Sequence, residues 1–367
     1  MVMQSNEPSN GARMKVVGVG GGGSNAVSRM FKERITGIEY MVVNTDTQAL
    51  LRCDVPLRIG IGDQLTGGKG VGGDPDLGGR AAEESREALF EALCDADMVF
   101  VAAGMGGGTG TGAAPPIAQI VKETGALTVG VVTTPFAFEG IRRSRAAEQG
   151  IKELKQHVDT LLVIPNERLN AICEDEITAD NAFKMADDVL RLGVQSIAEL
   201  VTVSGQINLD FADVKAVMKD AGPAWMSIGW GMGENRAKEA AQQAISNPLL
   251  DVSIEGATGV LFNITGGPDL RLSELHHAAE VIQRVVDPDA NIIFGMVTDL
   301  KMENEIKLTV IATGFPTQEN IQDKTEDLND MLREALAGDD SELDLPPFLR
   351  RLSKYRKDGR SELVAVR

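Results

Sequence analysis

The chain has 367 residues, 43% hydrophobic and 25% charged, with 54 acidic side chains against 36 basic ones. At roughly 100–200 residues per domain this length predicts two domains with a sizeable core, and the composition excludes global disorder and a collagen-like repeat. The formal charge of −18 argues against broad binding to nucleic acid, whose phosphates need a basic face. Cys53, Cys94 and Cys173 stand far apart, which speaks against a disulfide framework or a zinc site and for a reducing cytoplasm. Met1 to Met14 is polar and lacks the apolar stretch of a secretory signal. No run approaches the ~18 apolar residues of a membrane span, so membrane contact is expected only indirectly, through a partner or a short terminal segment.

In chain order, residues 1–13 read as a mobile tail. The strand Lys15–Val19 breaks into Gly20–Gly23, and Ser24 reads as the cap of a helix through Ala26, Val27 and Met30. A second apolar run, Ile38–Val43, ends at Asn44-Thr45-Asp46, and the nine glycines within residues 60–79 predict a loop. A helix at about 79–94 leads to the strand Met98–Val101, which ends in the glycines of Gly104–Gly112. Pro115 and Pro116 are expected early in the next helix, where a missing N–H costs little. Strands Leu127–Val132 and Thr160–Ile164 follow. Short buried strands alternating with helices predict a parallel sheet covered on both faces.

Residues 178–203 carry apolar positions at helical spacing, from Ala182 and Phe183 to Val201, and predict one helix roughly 37 Å long. Beyond Ser204-Gly205, helices Ala212–Asp220, Glu234–Ile245 and Leu272–Val286 are expected, with strands Gly259–Ile264, Asn291–Val297 and Lys307–Thr313. The architecture is therefore α/β. A parallel-sheet nucleotide-binding domain over 14–177 is joined by a long central helix, 178–204, to a second α/β domain with a mixed sheet, 205–315. Residues 316–345 hold ten acids against Lys324 and Arg333. A flexible acidic linker is thus expected at 316–342, a docking peptide at 343–351 and a basic tail at 352–367.

A strand entering a glycine turn that opens a helix is a phosphate site, because backbone N–H groups approach the oxygens and the helix N-terminus supplies partial positive charge. Gly18-Val19-Gly20-Gly21-Gly22-Gly23 fits GxGxxG, and by itself fits a dinucleotide fingerprint with Asp46 as the ribose acid. A second turn, Gly106-Gly107-Gly108-Thr109-Gly110-Thr111-Gly112, points instead to a chain of three phosphates held from two sides. No GxxxxGK[ST] occurs. Phosphate binding therefore rests on amides, threonine hydroxyls and helix dipoles.

These motifs resemble the tubulin/FtsZ superfamily, whose signature is the GGGTGTG of 106–112. Together with GVGGGGSNAV (18–27), NTD (44–46), TTPFAFEG (133–140), NLDFADV (208–214) and LDLPPFLRR (343–351), the chain is similar to the bacterial FtsZ cell-division GTPases. The resemblance covers about 14–315 and the terminal peptide. It implies that Gly21, Gly22, Asn25, Gly72, Gly73, Gly107, Gly108, Thr109 and Gly110 line the phosphates and ribose. Thr133, Pro135, Glu139 and Arg143 are implied on the ribose and γ-phosphate side, and Asn166, Phe183 and Asp187 at the base. Asn44, in the NTD motif, joins the GTP-binding set. GTP and GDP are the implied ligands, with Mg2+ and a monovalent cation beside them.

Guanine offers two adjacent donors, which Asp187 can accept bidentately, and Phe183 one turn earlier can stack on the base. By periodicity alone Phe183 reads equally as core and Asp187 as a solvated helix face. Asn208, Asp210 and Asp213 form an acidic stretch that reads either as a helix-capping loop or as groups that orient a water or hold a cation. The long helix would separate Asp187 from Asp210, so one subunit would not bring both to one nucleotide, whereas head-to-tail stacking would. The family has this arrangement, which implies catalytic roles for Asn208, Asp210 and Asp213 and a filament that hydrolyses GTP between subunits.

The resemblance also implies a division ring at mid-cell. It further implies binding of membrane-tethering and regulatory division proteins through Leu343, Asp344, Leu345, Pro346, Phe348, Leu349 and Arg350. Ser204 and Gln206 depart from the family's pattern before the acidic loop, and Pro223, Trp225 and Trp230 are unusual where they stand. His157, His276 and His277 lack metal-ligand spacing, and no metal site of protein ligands is expected. An NAD(P)-dependent oxidoreductase and a nucleotide-bound polymer that does not hydrolyse remain the other readings.

Overall fold

In the computed structural model, residues 12–35, 37–169, 178–203, 205–207, 209–246 and 254–315 are described. Cys173, Ser204, Asn208 and the expected linker, docking peptide and basic tail lie outside the described residues.

Strand β1 (Met14–Val19) passes directly into helix α1 (Gly20–Glu33), and β2 (Ile38–Asn44) is followed by the short α2 (Thr47–Leu51). Next come β3 (Leu57–Gly60), α3 (Asp63–Thr66), α4 (Pro75–Glu84) and α5 (Arg86–Leu93). β4 (Met98–Gly104) leads into α6 (Thr109–Thr124), β5 (Leu127–Thr134) into a 3-10 turn and α7 (Ile141–Leu154), and β6 (Thr160–Pro165) into α8 (Asn166–Leu169). The long α9 (Ala179–Thr202) is followed by α10 (Phe211–Met218), β7 (Gly222–Met232), α11 (Arg236–Ile245) and β8 (Gly259–Gly266). The described chain closes with α12 (Leu272–Gln283), β9 (Asn291–Thr298) and β10 (Glu305–Thr313).

The strands form one ten-stranded sheet in the order β3-β2-β1-β4-β5-β6-β7-β10-β8-β9. It is parallel from β3 to β6. Alternate strand residues face opposite ways, and each face has its own cover. Val16, Phe100, Ala102, Val129 and Val131 pack with Val27 and Met30 of α1 and with Leu190, Val194 and Ile197 of α9. Val17, Val19, Val99, Val101 and Val132 pack instead with Ala81, Ile117, Ile120 and Ala147 from α4, α6 and α7. Beyond β6 the sheet is mixed, because β10 runs antiparallel to β7 and β8 while β8 and β9 are parallel. The short parallel pairing of Thr160–Leu162 with Gly222–Ala224 makes the two parts continuous.

Several details differ from the sequence-based expectation. The helix expected at 79–94 is two helices that part at Ser85, and the first begins at Pro75, inside the stretch read as loop. Pro115 and Pro116 lie in the interior of α6, since the helix starts back at Thr109 within the glycine turn. β7 carries no sequence signal because it reads GPAWMSIGWGM, a glycine-rich run. The cause lies in its neighbour: a Cβ on Gly229 or Gly231 would come within 1.9 Å of the Ala240 or Arg236 carbonyl of α11. Trp225 is buried in the core of this part, whereas Trp230 is half exposed.

Candidate nucleotide site

Both glycine turns sit where a parallel strand ends and a long helix begins. Gly20 has a φ of +70°, which a residue with a Cβ avoids, and a Cβ there would meet the Gly110 nitrogen at 2.6 Å. The two turns thus pack on one another. Thr45 and Thr109 share a buried hydroxyl–hydroxyl hydrogen bond of 2.7 Å, and the Gly106 N–H donates to Thr111 Oγ1 at 2.8 Å. Gly21, Gly72, Gly73 and Gly107, by contrast, have nothing within 4 Å of an added Cβ. They leave bare backbone along a cavity of about 480 Å³.

That cavity is lined by Gly21, Gly22, Asn25, Gly72, Gly73, Gly107, Gly108, Thr109 and Gly110 at one end. Thr133, Pro135, Glu139, Arg143, Asn166, Phe183 and Asp187 complete it. Val71, Gly104, Met105, Ala186 and Leu190 also line it, and only the apolar periodicity of α9 could have suggested the last two. Asn44 is not among the lining residues; it is buried, and its Oδ1 accepts from the Asp46 N–H at 3.3 Å. Asp46, the ribose acid of the dinucleotide reading, caps α2 by accepting from Gln48 N at 2.8 Å and Ala49 N at 3.4 Å.

The far end of the cavity is built by α8 and α9. Asn166 is 5% exposed, and its Oδ1 has no hydrogen-bond partner. A buried orphan acceptor in a cavity wall fits a ligand that brings a donor. Phe183 is partly exposed and stands edge-on to Phe136, with ring centroids 5.6 Å apart. Asp187 Oδ2 lies 3.4 Å from Arg29 Nε. Burial raises the Asp187 carboxyl from 3.8 to about 6; Arg29 opposes that rise and Asp188 adds to it. Glu139 is already engaged, since Oε1 accepts from the Phe136 N–H at 3.0 Å and Oε2 pairs with Arg143.

The structure does not bring Asp210 and Asp213 into this cavity. They begin α10, beyond the far end of α9, and from Asp187 to Thr202 that helix advances about 22 Å. There they make a reciprocal cap: Asp213 N donates to Asp210 Oδ1 at 2.8 Å, and Asp210 N donates to Asp213 Oδ2 at 3.2 Å. The third member of that stretch, Asn208, is outside the described residues. Among the described residues, no three or more His, Cys, Asp or Glu side chains gather to hold a metal. Mg2+ does not require such a cage, since it usually takes one or two carboxylates plus phosphate oxygens and water.

Residues 13–174 match the GTPase domain of the tubulin/FtsZ family, and residues 222–316 match the FtsZ family C-terminal domain. The chain belongs to the tubulin/FtsZ family. A solved FtsZ from M. jannaschii, described as an empty dimer, is 46% identical with a TM-score of 0.79. That match covers 84% of this chain and 89% of the other. A point mutant of M. jannaschii FtsZ matches at 47% identity and a TM-score of 0.79, over 83% and 92% of the two chains. CetZ2 from Haloferax volcanii, solved as a GTPγS-bound protofilament, shares the fold at 20% identity and a TM-score of 0.72, over 89% and 100%. As a member of this family, the chain carries a GTPase domain that binds GTP or GDP. No described helix is long and apolar enough to cross a membrane.

Proposed function

We propose that this protein is a GTPase that polymerises head to tail, with each GTP hydrolysed between two subunits. One observation carries the reading: α9 gives Phe183, Ala186, Asp187 and Leu190, from its first half, to the cavity, while the acidic pair follows its other end, so a single chain holds only part of a hydrolytic site. The carboxylates that do line the cavity are otherwise employed, Glu139 by Phe136 and Arg143, Asp187 at the opposite end from the glycine turns.

In this reading the amides of Gly21, Gly22, Gly72, Gly73 and Gly107–Gly110 hold the phosphates, helped by the dipoles of α1 and α6 and the Thr109 hydroxyl. Asn25, Thr133, Pro135, Glu139 and Arg143 flank the ribose and the γ-phosphate. Phe183 stacks on guanine, Asp187 accepts its two adjacent donors, and Asn166 accepts a further donor. Adenine presents one donor and one acceptor there and fits poorly. From the next subunit, Asp210 and Asp213, with Asn208 beside them, orient the attacking water. Mg2+, bound chiefly through phosphate oxygens, would neutralise charge on the nucleotide, and a monovalent cation would sit near the acidic loop.

A heterologous contact of this kind does not close on itself and grows into a filament. The M. jannaschii FtsZ solved as a dimer supports self-association of this chain. By the same likeness we assign the filament to a cytoplasmic division ring at mid-cell, tethered to the membrane by partners that bind Leu343–Arg350. An oxidoreductase would use only the first glycine turn, and its ribose acid is spent on capping α2.

The test is phosphate release recorded together with right-angle light scattering, with GTP, ATP and NAD in parallel. Release is expected with GTP alone and to rise steeply with protein concentration. Asp213→Ala is expected to bind GTP and scatter light but to release phosphate at least tenfold more slowly. Equal turnover per subunit in dilute and crowded samples would sink the shared site. Scattering without phosphate release would favour a polymer that only holds its nucleotide.

A further inference from the structure

Helix α1 serves both ends of the cavity. Its first turn is the phosphate cradle, and Arg29, eight residues beyond Gly21 and about 12 Å along the axis, reaches α9. Arg29 Nε is 3.4 Å from Asp187 Oδ2, and its Nη1 is 3.8 Å from Asp188 Oδ1 and donates to the Lys184 carbonyl at 3.4 Å. Asp188 is held from its other side by Arg191 Nε at 3.6 Å, and Arg191 Nη1 is 2.9 Å from Glu33 of α1. Arg29 is not among the residues that line the cavity, and of its partners Asp187 is the one that does.

We propose that Arg29 is a positioning residue for base selection, which keeps Asp187 ionised and anchors one of its oxygens so that the carboxylate meets guanine as a double acceptor. The proposal rests on the reading of Asp187 as the guanine acceptor. Its chemistry is direct: a protonated Asp187 would set an O–H donor against the ring N–H of guanine, donor against donor. Burial alone drives the carboxyl toward that form, and Arg29 is the cation that opposes it. The other charges near Asp187 are Asp188, Lys184 and Arg191 on α9, and Glu139 and Arg143 line the same cavity. Arg29 is the cation that acts on the Asp187 charge, from 3.4 Å.

The test is equilibrium binding of GDP to the full chain, below the concentration of assembly, from pH 5.5 to 9. The wild type, R29Q, R29K and D187N are compared. D187N reports the titration of the phosphates alone, and its profile is subtracted. Wild-type affinity is expected to fall as pH drops through about 6. In R29Q the midpoint moves up by about one pH unit, making GDP binding about fivefold weaker at pH 6 and unchanged at pH 9. R29K keeps the wild-type midpoint. A role in packing alone would weaken R29Q equally at every pH, and that result overturns the proposal, as does an unmoved midpoint in R29Q while D187N is altered. D187N with wild-type affinity and profile would remove the guanine reading and the role of Arg29 together.

Discussion

Asp187 is a carboxylate that the fold tolerates at a cost. Its ordinary value is 3.8, and in the folded chain it titrates at about 6 because burial disfavours the charge. Between these values the folded chain holds a proton that the unfolded chain has released, so stability falls as pH rises through that window and stays lower above it. Asp187→Asn is expected to abolish that slope and to gain on the order of 1 kcal/mol at pH 7 while losing GTP affinity. Thermal unfolding at pH 4 and pH 7, beside nucleotide binding, checks both halves. A gain in stability from deleting a charge marks the charge as kept for function. Gly21 makes the same point without charge: nothing lies within 4 Å of an added Cβ, so Gly21→Ala is expected to fold normally. Only a ligand against that backbone would feel the methyl group.

At the scale of elements, α6 departs from ordinary helix chemistry, with glycines in its first turn and Pro115 and Pro116 in its interior. Packing compensates. A Cβ on Gly112 would lie 1.8 Å from the Pro75 carbonyl at the start of α4, so the two helices touch backbone to backbone. Gly112→Ala is expected to cost about 2–3 kcal/mol, read from urea unfolding, and to weaken GTP binding because α4 follows the Gly72-Gly73 turn. The capping role of Asp210 and Asp213 in α10 affects how their variants are read. Asp213→Ala keeps the Asp210 cap but takes away the acceptor of the Asp210 N–H, so it carries a stability loss of up to about 1 kcal/mol besides any catalytic one. Asp213→Asn keeps an acceptor for the Asp210 N–H. It is expected to restore stability without restoring phosphate release.

At the scale of the whole molecule, the proposed site is divided between subunits, and mixing tests that division. Asp213→Ala supplies a sound pocket, and a pocket variant such as Asp187→Asn supplies a sound acidic loop. Mixed in equal amounts, they are expected to recover up to about a quarter of wild-type phosphate release, since random stacking joins a sound pocket to a sound loop at one contact in four. No recovery, with light scattering intact, would argue for hydrolysis within one chain.

The alternating strands, the two glycine turns and the long amphipathic helix were legible in the chain because they follow from contacts a few residues apart: buried strand runs, turn sterics and helical spacing. The same local information left β7 unseen and put the start of α6 too late. Those outcomes depend on approaches between different elements, Gly229 of β7 against Ala240 of α11 and Gly112 of α6 against Pro75 of α4, and so does the pairing of Arg29 with Asp187 in the cavity wall. Close approach, burial and ion pairing exist only once the helices have packed on the sheet, and no spacing rule along the chain contains them.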